Sequence, residues 1–108
     1  MTVFMVETYL VKPDKLGEFA AFLKKTDAFM KKRPDLYKEI KSHKHFSHFI
    51  GGNLGGFVTM MEIESLSDAE KVYKKFMEDK EFRTDIQAEW AALLVPGTYS
   101  LSIWNPVP

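Results

Sequence analysis

The chain contains no cysteine, no excess of charge of either sign and no long apolar run. Without cysteine, a thiol nucleophile, a thiolate zinc site, an iron–sulfur cluster and a disulfide are all excluded. The longest uncharged stretch, residues 46–61, is interrupted by glycines and is shorter than the roughly 20 residues that span a bilayer. We therefore expect no membrane segment. The missing disulfides, and an N-terminus without the basic start of a secretory signal, favour a cytoplasmic location.

The charge balance argues against a nucleic-acid partner. There are 15 basic and 15 acidic side chains among 108 residues, and a phosphate-binding surface would normally show as a basic excess. With 45% hydrophobic residues, a chain of this length can bury one core and has no room for a second. We expect a single soluble domain over residues 1–108.

The first third of the chain predicts a strand followed by a helix. Residues 2–11 alternate between two mostly apolar faces, which is typical of a strand in the middle of a sheet. Pro13 suits the first turn of a helix, and the apolar spacing extends that helix to about Lys32. Residues 35–42 fit either a short helical turn or the entry to a strand.

The remainder predicts a hairpin, a second helix with an extension, and a last strand. The expected strands are residues 44–50, 57–63 and 98–104, and the glycine-rich residues 51–56 form the hairpin connection. Ser67 and Glu70 have the spacing of a capping box for the second helix. Asp79 is placed to cap its extension.

This order of elements is the ferredoxin-like βαββαβ arrangement, an α+β fold with an antiparallel sheet. The helices cover one face of such a sheet and leave the other bare. Because the second face of the first strand is also apolar, we expect a second copy of the chain to cover it in a homodimer.

Three segments resemble NIPSNAP-type domains. Residues 6–19 are similar to that family's opening, a strand ending in Thr-Tyr that runs through Lys-Pro-Gly-Lys into the first helix, although Asp14 stands in place of the glycine. Residues 61–70 resemble the family's strand into a Ser-Leu-Ala-Asp helix, and residues 79–82 resemble its Asp-Pro-Glu-Trp turn. The resemblance spans nearly the whole chain. It implies a dimeric α+β barrel of the antibiotic-biosynthesis-monooxygenase-like superfamily, with a pocket in each subunit between sheet and helices.

That superfamily includes cofactor-independent quinone-forming monooxygenases, haem-degrading monooxygenases and members without an assigned activity. The haem-degrading type relies on an asparagine, a tryptophan and a histidine, and the corresponding places here hold Glu7, residues 60–62 and residues 82–86, with no histidine. The resemblance therefore argues against haem degradation, and we expect no cofactor.

Glu7 and His48 are the candidate catalytic residues. The resemblance turns Glu7 toward the pocket, where burial beside only a hydroxyl would raise the carboxyl pKa and suit a general acid or base. A salt bridge to a helix lysine is the alternative. His48 lines either the pocket or the dimer barrel, or is a core histidine with its hydrogen bonds satisfied. Tyr9 is either a donor to a ligand oxygen or a half-buried core residue.

No metal site is expected. On a strand, His43 and His45 share one face while His48 points to the other, so the three imidazoles cannot converge without a bulge or a dimer partner, and no third ligand is evident beside the first pair. A solvated polar strand edge with one packed histidine is the simpler interpretation of this cluster.

Five aromatic residues predict a flat, apolar ligand pocket, or alternatively an ordinary core. They are Phe57, Phe76, Phe82, Trp90 and Trp104. The resulting hypothesis is a homodimer that binds a small, mostly apolar or aromatic molecule. One alternative is a cofactor-independent monooxygenase that acts on a phenol or quinol, with Glu7 or His48 taking the proton. The other is a structural or regulatory dimer without a ligand.

Overall fold

The computed structural model describes residues 2–48 and 55–108. The main elements are β1 (Val3–Leu10), α1 (Leu16–Lys32), β2 (Ile40–Ser47), β3 (Gly56–Ile63), α2 (Leu66–Glu78), α3 (Ala88–Leu93) and β4 (Ser100–Trp104). A 3₁₀ turn at Pro13–Lys15 leads into α1, and a π-helical turn at Phe82–Gln87 leads into α3. Within the described residues, none of the helices is long and apolar enough to cross a bilayer.

The four strands form one antiparallel sheet in the order β2-β3-β1-β4. β1 is therefore central, with Glu7 opposite Thr59 of β3 on one side and opposite Leu101 of β4 on the other. This topology confirms the predicted α+β class and the ferredoxin-like βαββαβ order.

The helices cover the face of the sheet that carries the odd-numbered residues of β1. Two apolar clusters fill the space between them. The first contains Tyr9 with Phe19, Phe22 and Phe29 of α1, and the second contains Val3 and Met5 with Ala69 and Val72 of α2. We call this side the inner face.

The opposite side of the sheet, the outer face, contributes no residue to either cluster. The strand register places on it the apolar side chains Phe4, Val6, Leu10, Phe46, Val58, Met60 and Trp104. Phe46 and Trp104 are 46% and 51% exposed. Both faces of β1 are thus apolar, as the sequence indicated.

Two boundaries differ from the sequence-based expectations. The cap of α2 is Ser65 and not Ser67, because the helix begins at Leu66 and the Ser65 hydroxyl accepts a 3.1 Å hydrogen bond from the Asp68 amide. β2 begins at Ile40, which settles the ambiguous segment 35–42 as a turn followed by a strand. Of the expected hairpin connection, residues 51–54 lie outside the described residues.

The turn after α2 is capped as expected. The Asp79 carboxylate accepts a 2.8 Å hydrogen bond from the Phe82 amide, and its oxygens also pair with the Arg33 guanidinium at 2.6 and 3.3 Å. Arg33 further binds Asp35 and Glu81. These contacts tie the end of α1 to the start of the π-helical turn.

Candidate functional site

A cavity of about 120 Å³ lies between the inner face and the helices. A dry cavity of roughly 150 Å³ lined by apolar side chains accepts benzene, so this space matches a single aromatic ring. Among the described residues, its lining includes no lysine and no arginine. The site therefore has the size and the electrostatics for a small molecule that carries no negative charge.

Aromatic side chains form a large part of the cavity wall. Trp90 contacts Tyr9 and Tyr99 edge to face, with ring centroids 5.2 and 5.1 Å apart. Phe76 and Phe82 stack at 4.4 Å. Such edge-to-face and stacked pairs hold the rings in fixed orientations, which gives the cavity a defined shape.

A row of polar side chains crosses the floor of the cavity. Glu7, Thr59 and His45 are cross-strand partners on β1, β3 and β2, so they follow one another at the spacing of neighbouring strands, about 4.8 Å. All three line the cavity. A polar row on an otherwise apolar face is the arrangement that orients a ligand within a hydrophobic pocket.

Glu7 is held by a hydroxyl. The Tyr99 hydroxyl donates a 2.7 Å hydrogen bond to Glu7 Oε2, and none of the ion pairs in the described residues includes Glu7. Burial raises the pKa of the Glu7 carboxyl, and the hydrogen bond from Tyr99 only partly opposes it. The folded protein therefore favours the protonated form of this carboxyl more than water does.

A hydrogen-bonded chain joins Tyr9, Thr59 and His45. The Thr59 Oγ1 lies 2.7 Å from the Tyr9 hydroxyl and 2.9 Å from His45 Nδ1. Burial, with a smaller contribution from Glu7, raises the pKa of Tyr9 to about 12, so its hydroxyl stays protonated near neutral pH. The chain fixes the orientation of the His45 ring.

The other ring nitrogen of His45 has no partner. Among the described residues it is the one buried side-chain polar atom without a hydrogen bond, and the ring lines the cavity. Leaving such an atom unpaired costs about 1–3 kcal/mol. A bound molecule with a hydroxyl or carbonyl group would remove that cost.

His43 lies beside His45, with ring centroids 4.6 Å apart. Its Nδ1 contacts the Met30 sulfur at 3.2 Å. Burial lowers the pKa of His43 to about 4 and also lowers the pKa of His45, so both imidazoles are neutral near pH 7. No group of three or more histidine and acidic side chains suited to a metal ion occurs in residues 2–48 and 55–108.

Comparison with known proteins identifies the fold. Neither a protein-family model nor a curated protein matches the sequence. Three solved structures match nearly the whole chain. A NIPSNAP family protein from Agrobacterium tumefaciens is 16% identical with a TM-score of 0.76, and the match covers 99% of this chain and 94% of that one. A NIPSNAP-like domain protein from Burkholderia xenovorans is 19% identical with a TM-score of 0.72 (98% and 85% covered), and an antibiotic biosynthesis monooxygenase is 12% identical with a TM-score of 0.70 (98% and 99% covered).

The chain has the NIPSNAP and antibiotic-biosynthesis-monooxygenase fold. The resemblance noted in the sequence is therefore confirmed at the level of the fold. At these identities the likeness carries no information on ligand or activity, so both must come from the cavity itself.

Within this NIPSNAP-like fold, five of the predicted site residues line the cavity, namely Glu7, Tyr9, Phe76, Phe82 and Trp90. Phe57 lies behind them on the inner face. Its ring packs against Phe19 at 4.7 Å and against Tyr9 at 6.3 Å, so it supports the wall without lining the cavity.

The structure places His48 and Trp104 outside the cavity. Trp104 pairs with Phe4 on the outer face, because side chains alternate along a strand and Leu101 and Ile103 occupy the inner positions of β4. His48 follows the end of β2, is exposed, and donates a 3.3 Å hydrogen bond from its amide to the Gly56 carbonyl. The predicted pocket is revised at both positions.

Sequence reasoning gave no site role to Thr59 and Tyr99. It considered His45 as a metal ligand or as part of a solvated polar strand edge, whereas the rings of His43 and His45 both line the cavity. One signal was available for Thr59, which is the single polar residue in the alternating series Phe57, Thr59, Met61 and Ile63. The link from Tyr99 to Glu7 depends on the register between β1 and β4, and no local pattern in the sequence sets it.

Proposed function

We propose that the chain binds a small, uncharged aromatic molecule with a hydroxyl group in the cavity between the sheet and the helices. The observation that carries this proposal is the unpartnered, buried Nε2 of His45 in a mostly apolar cavity. Buried polar atoms in proteins are almost always hydrogen-bonded, so the exception marks where a ligand group belongs.

The cavity also supports the choice of ligand charge. Glu7 is the carboxylate that lines it, and the two histidines are neutral near pH 7. A phenol places an uncharged donor near His45, whereas a benzoate of similar size would bring a second carboxylate near Glu7 with no cation to offset it. The ligand is accordingly a phenol and not an aromatic acid.

Calorimetric titration with phenol and benzoate tests the proposal. We expect phenol to bind and benzoate to bind at least about tenfold more weakly, which is the effect of roughly 1.4 kcal/mol. The variant His45→Phe keeps the ring volume and removes the hydrogen bond, so phenol affinity should fall about tenfold. His48→Phe, outside the cavity, is the matched control. The proposal would be contradicted if the wild type bound phenol and benzoate equally well. It would also be contradicted if His45→Phe and His48→Phe lost the same amount of phenol affinity.

The wall residues give a second check on the location of the ligand. Trp90→Ala removes the ring that contacts both Tyr9 and Tyr99, so we expect phenol binding to become undetectable. Phenol binding that survives this change would place the ligand elsewhere.

A second candidate function is the oxidation of such a phenol or quinol by dioxygen without a cofactor. The observation that favours it is the Glu7 carboxyl, which lines the cavity and whose pKa is raised by burial, as a proton acceptor requires. Oxygen uptake with a panel of hydroquinones, compared between the wild type and Glu7→Gln, tests it. Equal rates in the two proteins would remove Glu7 as the base.

We also propose that the chain forms a homodimer through the outer face. The support is the set of apolar side chains on that face, which neither apolar cluster includes. A cysteine-free chain suits the reducing cytoplasm, where we propose that the dimer acts.

A further inference from the structure

A methionine from α1 reaches the pair of histidines on β2. The His43 Nδ1 lies 3.2 Å from the Met30 sulfur. In the sequence no third ligand is evident beside His43 and His45, because Met30 precedes His43 by 13 residues and belongs to another element. The fold therefore supplies a donor atom that the spacing along β2 could not indicate.

A second thioether lies next to the same imidazole. Met61 of β3 is directly opposite His43 in the pairing of β2 with β3, and both side chains line the cavity. Opposed residues have Cβ atoms about 4.5–5.5 Å apart, which is within reach of the flexible methionine side chain. One nitrogen donor and two sulfur donors are thus neighbours on the inner face. We call His43, Met30 and Met61 the soft cluster.

The separation of the first two donor atoms suits a bound metal ion. Metal–nitrogen and metal–sulfur bonds are about 2.0 and 2.3 Å long, so two donors on one ion lie roughly 3–4 Å apart. The His43 Nδ1 and the Met30 sulfur have this separation. Without an ion their contact is only a weak hydrogen bond, because a thioether sulfur is a poor acceptor.

The donors favour a soft ion with a single charge. Thioether sulfur and imidazole suit Cu(I), whereas carboxylates and carbonyl oxygens suit harder ions. The donors of the soft cluster are uncharged near pH 7, so a divalent ion would carry both of its charges into a mostly apolar cavity. Asp27, three residues before Met30 on α1, opposes the burial that lowers the pKa of His43, so one negative charge acts at this position.

We propose that the soft cluster binds one Cu(I) ion through the Nδ1 of His43 and the sulfur atoms of Met30 and Met61. His43 and Met30 are half-buried and β2 is an edge strand, so the ion can approach from solvent. This inference goes beyond the proposed function, because it uses His43 and leaves the Nε2 of His45 to the phenol.

Anaerobic competition with bicinchoninate, a chelator that is coloured when it holds Cu(I), tests the proposal. The wild type should remove Cu(I) from the chelator until each chain holds one ion. Met30→Leu nearly keeps the side-chain volume and removes the sulfur. Its Kd for Cu(I) should be at least about tenfold higher, since even a change beside the ligands of a metal site has this effect. Met61→Leu should act in the same direction.

Met60→Leu is the matched control, because Met60 is the preceding residue of β3 and lies on the outer face. It should retain the wild-type Kd, and circular dichroism of the three variants checks that they fold. Equal Kd values for Met30→Leu and Met60→Leu would overturn the proposed site. A wild-type chain that removes no Cu(I) from the chelator would overturn it as well.

X-ray absorption at the copper edge gives a measurement on the wild type that depends on no variant. We expect the bound copper to have both nitrogen and sulfur neighbours. Copper with nitrogen and oxygen neighbours alone would show that it is held elsewhere in the chain, and the proposal would be wrong.

Discussion

Glu7 shows how a single residue acquires unusual chemistry from its place in the sheet. It lies on the central strand, faces the helices, and accepts a hydrogen bond from the Tyr99 hydroxyl. A carboxylate on the surface would instead form an ion pair with a lysine or an arginine. The lysines that a salt bridge would require are engaged at the surface, for example Lys25 with Glu89 and Lys75 with Glu39. Desolvation therefore dominates the protonation of Glu7.

We expect Glu7→Gln to stabilise the protein at pH 7. Burial raises the folded-state pKa of Glu7 above its unfolded value of 4.5, so the folded state favours the protonated carboxyl. That contribution to stability is full below about pH 4.5 and is lost as the pH rises through the folded-state pKa. The neutral amide avoids this loss. Thermal unfolding should show a higher Tm for the variant at pH 7 and a difference that shrinks toward pH 4.

Glu70→Gln, at an exposed position of α2, is the control and should change the Tm little at either pH. The quantity to compare is the Tm of Glu7→Gln minus the Tm of the wild type. If this difference is lower at pH 7 than at pH 4, the Glu7 carboxylate does not destabilise the folded protein.

His43 has the opposite pH dependence. Burial, with a smaller contribution from His45, lowers its folded-state pKa to about 4 from 6.5, and Asp27 opposes this only weakly. The folded state favours the neutral ring, so the stabilisation is present above pH 6.5 and is lost as the pH falls toward 4. A pKa change of this size corresponds to up to about 3 kcal/mol.

Titration of the histidine ring protons by NMR measures this directly. The resonance that is missing in His43→Leu identifies the residue, and its midpoint should lie near pH 4. Urea unfolding of the same variant should depend less on pH between 6.5 and 4 than unfolding of the wild type. A midpoint above pH 6 would show that the ring is not desolvated.

At the scale of elements, the start of α2 depends on where β3 ends. Both Ser65 and Ser67 are good capping residues, and the capping-box spacing of Ser67 with Glu70 favoured the second. β3 ends at Ile63, so the helix can begin at Leu66, and the Ser65 hydroxyl is the one that reaches a free amide. Local pattern alone could not decide between two serines two residues apart.

Ser65→Ala should therefore lower the free energy of unfolding by about 1 kcal/mol, the usual value of a side-chain cap. Ser67→Ala, inside the first turn and exposed, should change it by less than about 0.5 kcal/mol. Urea unfolding of the two single variants makes the comparison. A larger loss for Ser67→Ala would restore the capping box expected from the sequence.

The segment after Asp79 illustrates what periodicity can and cannot predict. In the sequence, Phe82, Ile86, Trp90 and Leu93 have the spacing of one helical face, and Ile86 and Leu93 are indeed buried. Residues Phe82–Gln87 instead form a π-helical turn, which admits one extra residue per turn. Such turns are rare and have no reliable sequence pattern, so the orientation of Trp90 toward the cavity required the structure.

At the scale of the whole molecule, the sequence was sufficient for the topology but not for the cavity. Alternation along β1 predicted its central place, and the order of strands and helices predicted the ferredoxin-like sheet. The cavity depends on how far apart the helices and sheet lie, which the combined sizes of many side chains determine. His45, Thr59 and Tyr99 meet there only through strand pairing between residues far apart in the chain.

The last prediction concerns dimerisation through the outer face. Phe46 and Trp104 lie near opposite edges of the sheet and are about half exposed. A C2 dimer through this face would bury two copies of each residue, one from each subunit. Burial of one large apolar side chain is worth about 1.5–3 kcal/mol. Because each ring is already about half buried in one chain, the two copies together contribute about 1.5–3 kcal/mol, so Phe46→Lys or Trp104→Lys should weaken the dimer at least about tenfold.

Sedimentation equilibrium of the three proteins measures the effect, with Leu66→Lys as the matched control. Leu66 is 54% exposed at the start of α2 and lies away from the outer face, so the same change in charge should leave the dimer intact there. A wild-type chain that stays monomeric at 100 µM, or equal weakening by Leu66→Lys, would exclude this interface. Because the cavity lies between the inner face and the helices, away from the outer face, phenol binding should survive in a monomeric Trp104→Lys variant. The dimer and the ligand site are thereby tested independently.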